Sequence, residues 1–350
     1  MIKRMVRHLG LAIVLIAAAT AVLLLSDTSR RHGAPGNRME KSFPQIAIMQ
    51  FSSTSLLDAH VAGIKEGLRK HGVLADDERN LRVFNPQGDF PTANAVARQM
   101  VHGNYDVLIT SSTVSLQITA KANLNTKVNH VFGAVTLPQG AGVGITGPGA
   151  GQHPPWLTGI GTFQPVRRAF QIAHELNPSI QRIGVVWNPG EQCSEACLAE
   201  AHIVCAQLGI ELVEAVATQS GEVNDAIHAL LGKNVEAVWI GGDTVANAAT
   251  AMIVHIAAAQ RIPVFTNDPT DTQKGALFGL GANYHTVGLH TADMAAEVLQ
   301  GRSPASFRIE NVIPEQFNLN ASVLATLPAR WSLVDSVEKL LNEPSMLPEE

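Results

Sequence analysis

Apolar and polar residues recur along this chain with two different spacings, which distinguish strands from helices. Short runs of Val, Ile, Leu and Ala alternate with longer segments in which apolar residues recur every three or four positions. The short runs predict buried strands of a parallel sheet, and the longer segments predict amphipathic helices packed on it. The predicted strands are residues 46–50, 81–85, 106–110 and 130–135, then 182–187, 211–215, 237–240, 263–266 and 276–280.

Helix-length segments separate these strands in both halves of the chain. The predicted helices are residues 57–71, 91–103 and 114–123, then 166–175, 194–208, 223–231, 244–260 and 285–300. Repeated strand–helix–strand units form parallel sheets with right-handed crossovers. The two series therefore predict an α/β fold with two doubly wound parallel-sheet lobes. We expect a multi-strand hinge near residues 158–162, 284–287 and 309–314.

The break between the two series sets the predicted domain boundaries. Residues 44–160 with 286–310 are expected to form an N-terminal lobe, and 161–285 with 311–330 a C-terminal lobe. Residues 331–350 are expected to form a C-terminal helix and tail. A segment rich in Gly and Pro, residues 138–155, reads as a loop before the crossing between lobes. The length of 350 residues agrees with two domains of about 150 each.

The first 43 residues differ from the rest. Three basic residues (Lys3, Arg4 and Arg7) precede an apolar run at residues 9–25. This run is long for a signal peptide and short for a membrane span, and neither an Ala-x-Ala cleavage site nor a Cys for lipid attachment follows it. An uncleaved membrane anchor and a cleaved signal peptide both remain open. Either one places the body of the protein outside the cytoplasm, on the periplasmic or outer face of the inner membrane, with residues 26–43 as a tether.

The composition narrows the class of function. The chain is 46% hydrophobic, only 5% aromatic and carries a net charge of −5, with no long basic run. These values argue against nucleic acid as a partner. Phosphate-loop, nucleophile-elbow and zinc-protease motifs do not occur. The sequence therefore predicts a protein without a cofactor, without a metal and without a catalytic centre.

The three cysteines are candidates for chemistry of their own. Cys193, Cys197 and Cys205 are spaced so that a helix would place them along one face. Three interpretations remain open: buried thiols, a Cys193–Cys197 disulfide in an oxidising compartment, and a metal site that includes His202. The spacing matches no common zinc signature.

The strand ends are the predicted ligand site, because open α/β sheets bind ligands at the carboxyl ends of their strands. Residues 110–115 contain five hydroxyl side chains in six positions, more than the one that a helix N-cap needs. Hydroxyls beside a helix start favour a ligand carboxylate. Asp243 and Asp268 would either face the ammonium of a ligand or cap helices. Trp187 would either line the site or belong to the core. The candidate residues are Gln50, Ser53, Thr110, Ser111, Ser112, Thr113, Thr136, Trp187, Asn188, Asp243, Thr244, Asn267 and Asp268.

The order of these segments resembles the ABC-transporter substrate-binding family typified by the tryptophan/tyrosine-binding lipoproteins. The matching segments read IAIMQF at 46–51, DVLIT at 106–110, VFGAVT at 131–136, IGVVWNPGE at 183–191 and IPVFTND at 262–268. The similarity extends from residue 45 to about residue 327. It implies a type I periplasmic-binding-protein fold with a small amino-acid-like or carboxylate ligand between the lobes. It also implies an ABC permease and its ATPase as partners.

Some positions depart from the family pattern. Leu137 stands where relatives often carry Asp, Cys193 and Ser194 stand where Asn-Ser is frequent, and the lipid-attachment Cys of many relatives is missing. These departures leave the identity of the ligand open. We expect lobe closure on the ligand, with the hydroxyls of residues 110–113 at its anionic end and Asp243 or Asp268 completing the cage. The alternatives are a membrane-anchored sensor that signals ligand occupancy to a partner, and an enzyme on the same scaffold.

Overall fold

The computed structural model describes residues 43–342, which contain two sheets. The first sheet has five parallel strands in the order β2-β1-β3-β4-β5. These are β1 (Ile46–Gln50), β2 (Leu81–Phe84), β3 (Val107–Ser111), β4 (His130–Val135) and β5 (Leu157–Gly161). Every residue of β1, β3, β4 and β5 is buried, as expected for strands with helices on both faces.

The second sheet has six strands in the order β11-β10-β9-β8-β6-β7. These are β6 (Arg182–Trp187), β7 (Glu211–Val216), β8 (Ala237–Ile240), β9 (Val264–Thr266), β10 (Phe278–Ala282) and β11 (Glu315–Leu319). All neighbours are parallel except β10 and β11, which run antiparallel. The predicted α/β fold of two parallel-sheet lobes is confirmed.

Helices cover the faces of both sheets. They are α1 (Ser55–Lys70), α2 (Phe90–Val101), α3 (Thr113–Ala122), α4 (Val166–Leu176), α5 (Gln192–Leu208), α6 (Val223–Leu231), α7 (Thr244–Ala248), α8 (Thr250–Ala258), α9 (Tyr284–Leu299), α10 (Ala321–Thr326) and α11 (Asp335–Asn342). The second lobe has an aromatic core in which Phe170 meets Trp239 and Phe265 at centroid distances of 4.9 and 5.3 Å. In the first lobe, the corresponding cluster is mainly aliphatic and includes one aromatic residue, Phe307.

Helix α9 follows a strand of the second sheet but packs against α1 of the first lobe. A Cβ atom on Gly63 would lie 2.0 Å from the carbonyl oxygen of His285, and one on Gly288 would lie 2.2 Å from that of His60. Only glycine allows the two helix backbones to approach so closely. The chain therefore returns to the first lobe through α9 before β11 completes the second sheet.

Two strands lie at or beside segments that the sequence predicts only as hinge. Residues 158–162 were expected to be a crossing, but most of them belong to β5, which pairs with β4 and forms an edge of the first sheet. Residues 309–314 lead into β11, which the sequence did not predict because its polar and apolar residues alternate only briefly. The two segments also meet at a bridge between Gly161 and Asn311.

The predicted helix at 244–260 is divided in two at Ala249, whose φ and ψ are −100° and 8°. The Asn247 side chain donates to the carbonyl oxygens of Gly241 and Asp243 at 2.8 and 2.6 Å. Thr250 donates its hydroxyl to the Asn247 carbonyl at 2.9 Å. Such side-chain bonds compete with the helical ladder and explain the break.

The predicted signal or anchor segment at residues 9–25 lies outside the described residues. None of the helices within residues 43–342 combines the length and the hydropathy that a membrane crossing requires.

Candidate functional site

The carboxyl ends of the two sheets enclose a polar cavity, which we call the inner cavity. Its open space is about 50 Å³. Its lining from the first lobe is Thr54, Leu56, Leu57, Ser112, Thr113, Ala134 and Thr136, and the remainder is Gln164, Cys193, Gly242, Asp243, Thr244, Asn247 and Tyr284. The strand ends of both lobes therefore face one shared space, as the sequence predicts.

A larger space of about 550 Å³, the outer chamber, lies between segments of both lobes. Phe51, Ser52, Ser53 and residues 87–91 line it on one side, and Asn188, Glu191, residues 218–220, Thr244, Val245 and Ala248 line it on the other. Thr244 lines both spaces, so the inner cavity and the outer chamber are neighbours.

In the first lobe, the start of α3 provides the polar wall of the inner cavity. Ser112 caps the helix by accepting from the Ser115 N–H at 3.1 Å, with its own φ at +123°. This φ is rare for a non-glycine residue, and such strained backbone is concentrated at functional sites. The N–H groups of Thr113 and Val114 precede the first intrahelical bond, so the positive end of the helix faces the cavity.

Two of the residues predicted to contact the ligand carboxylate do not reach the inner cavity, because they still belong to β3. The Thr110 hydroxyl lies 2.8 Å from Nε2 of His130, and the Ser111 hydroxyl lies 2.8 Å from Nδ1 of His60. Burial lowers the pKa of each imidazole to about 3. Neither hydroxyl lines the inner cavity, since each is paired with the imidazole of a buried histidine.

In the second lobe, a buried acidic pair lies at the ends of β6 and β8. Asp243 accepts from the backbone N–H groups of Asn188 and Ala246 at 2.5 and 2.6 Å and from the Ser194 hydroxyl at 2.8 Å. Glu191 accepts from the backbone N–H and the hydroxyl of Thr244. Asp243 thus caps α7, as one interpretation of the sequence held, and also lines the cavity.

The pKa values of both carboxyls are raised, first of all by burial. For Glu191, the nearby Asp243 carboxylate raises the pKa further. Within residues 43–342, no Lys or Arg lines the inner cavity or the outer chamber. A positively charged ligand group would therefore be favoured beside this pair.

The thirteen predicted site residues fall into three groups. Ser112, Thr113, Thr136, Asp243 and Thr244 line the inner cavity, and Thr244 also lines the outer chamber with Ser53 and Asn188. The six that line neither are Gln50, Thr110, Ser111, Trp187, Asn267 and Asp268.

Thr110 and Ser111 of β3 are two of these six residues, and the other four also make structural contacts. Gln50 donates to the carbonyl oxygen of Ser52 at 3.0 Å. Asn267 accepts from the Trp239 indole at 2.9 Å, inside the second-lobe core. Trp187 packs against the same core. Asp268 caps the 3-10 helix that follows it and also contacts the first lobe.

Gln164 and Tyr284 line the inner cavity, yet the pattern of the sequence did not identify them as site residues. Gln164 donates its Nε2 to the Tyr284 hydroxyl. Its Oε1 is buried and has no hydrogen-bond partner among the described residues. Gln164 follows β5 in the crossing between lobes, where neither periodicity nor a motif indicates ligand contact.

The three cysteines are free and buried, which agrees with the first interpretation of their spacing. Burial raises the pKa of Cys197 and Cys205 to about 12 and that of Cys193 well above its ordinary value. Among the residues that the structure describes, no group of three His, Cys, Asp or Glu side chains is placed to hold a metal ion.

Two α/β lobes around a polar cavity define a two-lobed ligand-binding protein of the type I periplasmic-binding-protein fold. The chain belongs to the ABC transporter substrate binding protein family, whose model matches residues 45–341. The family expected from the sequence is confirmed. A tyrosine-binding protein of Clostridioides difficile is 23% identical over 346 residues, which are 97% of this chain and 98% of the relative.

Solved structures agree with this fold. A conserved domain protein from Vibrio cholerae is 28% identical, with a TM-score of 0.79 over 85% of this chain and 98% of its own. An ABC domain from Streptococcus pneumoniae in complex with L-Trp is 20% identical, with a TM-score of 0.77 over 84% of this chain and 98% of its own.

Proposed function

We propose that this chain is the extracytoplasmic solute-binding component of an ABC importer and that it captures an amino-acid-like ligand by closure of its two lobes. The observation that supports this most directly is the inner cavity, which has a helix start on one wall and acidic and amide acceptors on the other. These two walls complement the carboxylate and the ammonium of a zwitterion.

The anionic end of the ligand would lie at the start of α3. The free N–H groups of Thr113 and Val114 and the positive end of the helix suit a carboxylate. Because no Lys or Arg of the described chain lines the cavity, these groups are the main source of positive potential there.

The cationic end would lie at Gln164 and Asp243. Gln164 Oε1 is a buried acceptor without a partner, and a ligand N–H would satisfy it. The Asp243 carboxylate adds negative charge on the same cavity. These groups favour a ligand with an ammonium over a simple carboxylate, which narrows the class predicted from the sequence.

The inner cavity is small for a complete aromatic amino acid, since typical ligand pockets occupy about 300–1,000 Å³. We infer that the ammonium and the carboxylate occupy the inner cavity and that the side chain extends past Thr244 into the outer chamber. The tyrosine-binding relative, which matches almost the whole chain, supports an amino acid as the ligand.

The partners would be an ABC permease with its ATPase, which accept the ligand from the closed protein. Residues 9–25 would export the chain, as a cleaved signal peptide or as an anchor that keeps it at the outer face of the inner membrane. Uptake of labelled ligand should fall when this chain is deleted and return when it is expressed again.

Calorimetry with L-tyrosine and L-tryptophan tests the ligand class. Tyramine lacks the carboxylate and hydroxyphenylpropionate lacks the ammonium, and we expect both to bind more weakly than L-tyrosine. The Gln164→Leu and Ser112→Ala variants should each lose about 10- to 100-fold in affinity, because an unpaired polar group in a buried site costs about 1–3 kcal/mol.

Gln99→Leu is the matched control, since it makes the same substitution on an exposed face of α2. Its affinity should equal that of the wild type. Equal affinity for hydroxyphenylpropionate and L-tyrosine, or unchanged affinity in both cavity variants, would refute the proposed site.

A further inference from the structure

A polar contact joins the two lobes beside the inner cavity. Ser55, the first residue of α1 in the first lobe, donates its hydroxyl to Oδ2 of Asp268 at 2.6 Å. Lys274 donates its ammonium to the same Ser55 oxygen at 3.1 Å. Both belong to the second lobe: Asp268 caps the 3-10 turn Pro269–Lys274, and Lys274 is the last residue of that turn. None of the three residues lines the inner cavity.

The second lobe holds its half of this contact rigidly. The other oxygen of Asp268 accepts from the backbone N–H and the hydroxyl of Thr270 at 2.9 and 2.7 Å. Lys274 also pairs with the buried Asp271 at 2.7 Å. Strand β10 supports the segment from behind, because a Cβ atom on Gly279 would lie 2.1 Å from the Asp268 carbonyl oxygen. Ser55 is therefore the group that separates when the lobes move apart.

We propose that Ser55, Asp268 and Lys274 form a clasp that holds the lobes closed over the inner cavity, so that they act as positioning residues for ligand capture. The clasp rests on the proposed function, in which closure captures the ligand. Asp268 is only 1% exposed, and a hydroxyl bond to a buried carboxylate oxygen belongs to the stronger class of hydrogen bonds. Opening the lobes breaks both bonds of Ser55 but none of the bonds within the second lobe.

The clasp gives Asp268 a different role from the one that the sequence suggests. Its carboxylate is committed to Ser55 and Thr270, so it would stabilise the closed state and not contact the ligand. An interaction present only in the closed state raises the closed population and slows ligand release.

The distance between spin labels on the two lobes tests the clasp directly. Labels are attached to Lys121→Cys on α3 and Ala229→Cys on α6, which are exposed, whereas the three native cysteines are buried. Without ligand, the Ser55→Ala variant should show a larger share of the long distance than the wild type, and Ser55→Thr should restore the short one.

Stopped-flow release of L-tyrosine or L-tryptophan gives the second readout. We expect Ser55→Ala to release the bound amino acid about tenfold faster, with little change in the association rate, since affinity changes within one site fall mostly on dissociation.

Ser336→Ala is the matched control. The Ser336 hydroxyl also donates to a carboxylate, that of Glu175, at 2.6 Å, but both residues lie in the second lobe. This variant should keep the wild-type distances and release rate. The clasp is refuted if Ser55→Ala leaves the distances unchanged, or if Ser336→Ala changes them equally. Absence of amino-acid binding in the wild type would instead refute the proposed ligand, and the distances would still decide the clasp.

Discussion

Two buried histidines predict that acid destabilises this protein through the first lobe. His60 lies between the hydroxyls of Ser111 and Thr291 at 2.8 and 3.1 Å, and His130 lies against Thr110. Burial is the sole cause of their lowered pKa values, which fall to about 3. Among residues 43–342, no carboxylate pairs with either ring to stabilise a positive charge.

The direction in which pH changes the free energy of unfolding follows from which state, folded or unfolded, binds the proton. The folded pKa of about 3 lies below the ordinary value of 6.5, so the folded state favours the neutral imidazole. The unfolded chain takes up a proton below about pH 6.5 and the folded chain does not. The stabilisation is therefore complete above pH 6.5 and is lost as the pH falls towards 3. At 1.36 kcal/mol per pH unit, each histidine lowers the free energy of unfolding by about 2 kcal/mol between pH 7 and pH 5.

Urea unfolding at pH 7, 6 and 5 measures this effect through the His60→Gln variant. A variant comparison is needed because the raised pKa values of Glu191 and Asp243 have the opposite sign: these carboxyls favour the folded state more as the pH falls. We expect the wild type to lose about 2 kcal/mol more than His60→Gln between pH 7 and pH 5.

His255→Gln is the control, since this side chain is exposed on α8. Its pH profile should follow that of the wild type. Parallel profiles for the wild type and His60→Gln would refute the reasoning, because they would show that folding does not exclude the proton from this site.

Three further predictions concern packing and thiols. Gly63→Ala should destabilise the fold by about 3 kcal/mol or more in urea, because its Cβ atom would meet the His285 backbone, whereas Gly221→Ala, which meets nothing within 4 Å, should change little. Asn267→Ala should lower the free energy of unfolding by about 1–3 kcal/mol, since it leaves the Trp239 indole without its acceptor, while the calorimetric affinity for L-tyrosine stays unchanged. The three cysteines should not react with a thiol reagent in the native protein and should all react after unfolding, so that a mass consistent with a disulfide would contradict the free thiols.

The positions of most strands along the chain could be predicted because their sequences are continuous apolar runs between helical segments. This signal failed at β5 and β11, which lie at sheet edges. Strand β11 is short and partly exposed, and its pairing with β10 brings together segments that lie far apart in the sequence. A local pattern does not contain that information.

The sequence placed the candidate residues at the carboxyl ends of the strands, but it did not predict the direction of each hydroxyl. The sequence predicted that β3 ends at residue 110, whereas the structure extends it to Ser111. Because side chains alternate along a strand, Thr110 and Ser111 point to opposite faces of the sheet, where each meets a buried histidine. Only Ser112 and Thr113, which follow the end of the strand, line the cavity.

The sequence by itself determined the two α/β lobes and the family, and it placed the candidate site at the carboxyl ends of the strands, because these follow from local periodicity and from the order of segments. Only the tertiary structure decided that Gln164, whose Oε1 is unpaired, lines the cavity and that Asp268 meets Ser55. Both depend on how residues from distant parts of the chain meet when the lobes pack together. Local sequence carries the tendency to form each element, but the distances between elements arise only in the folded chain.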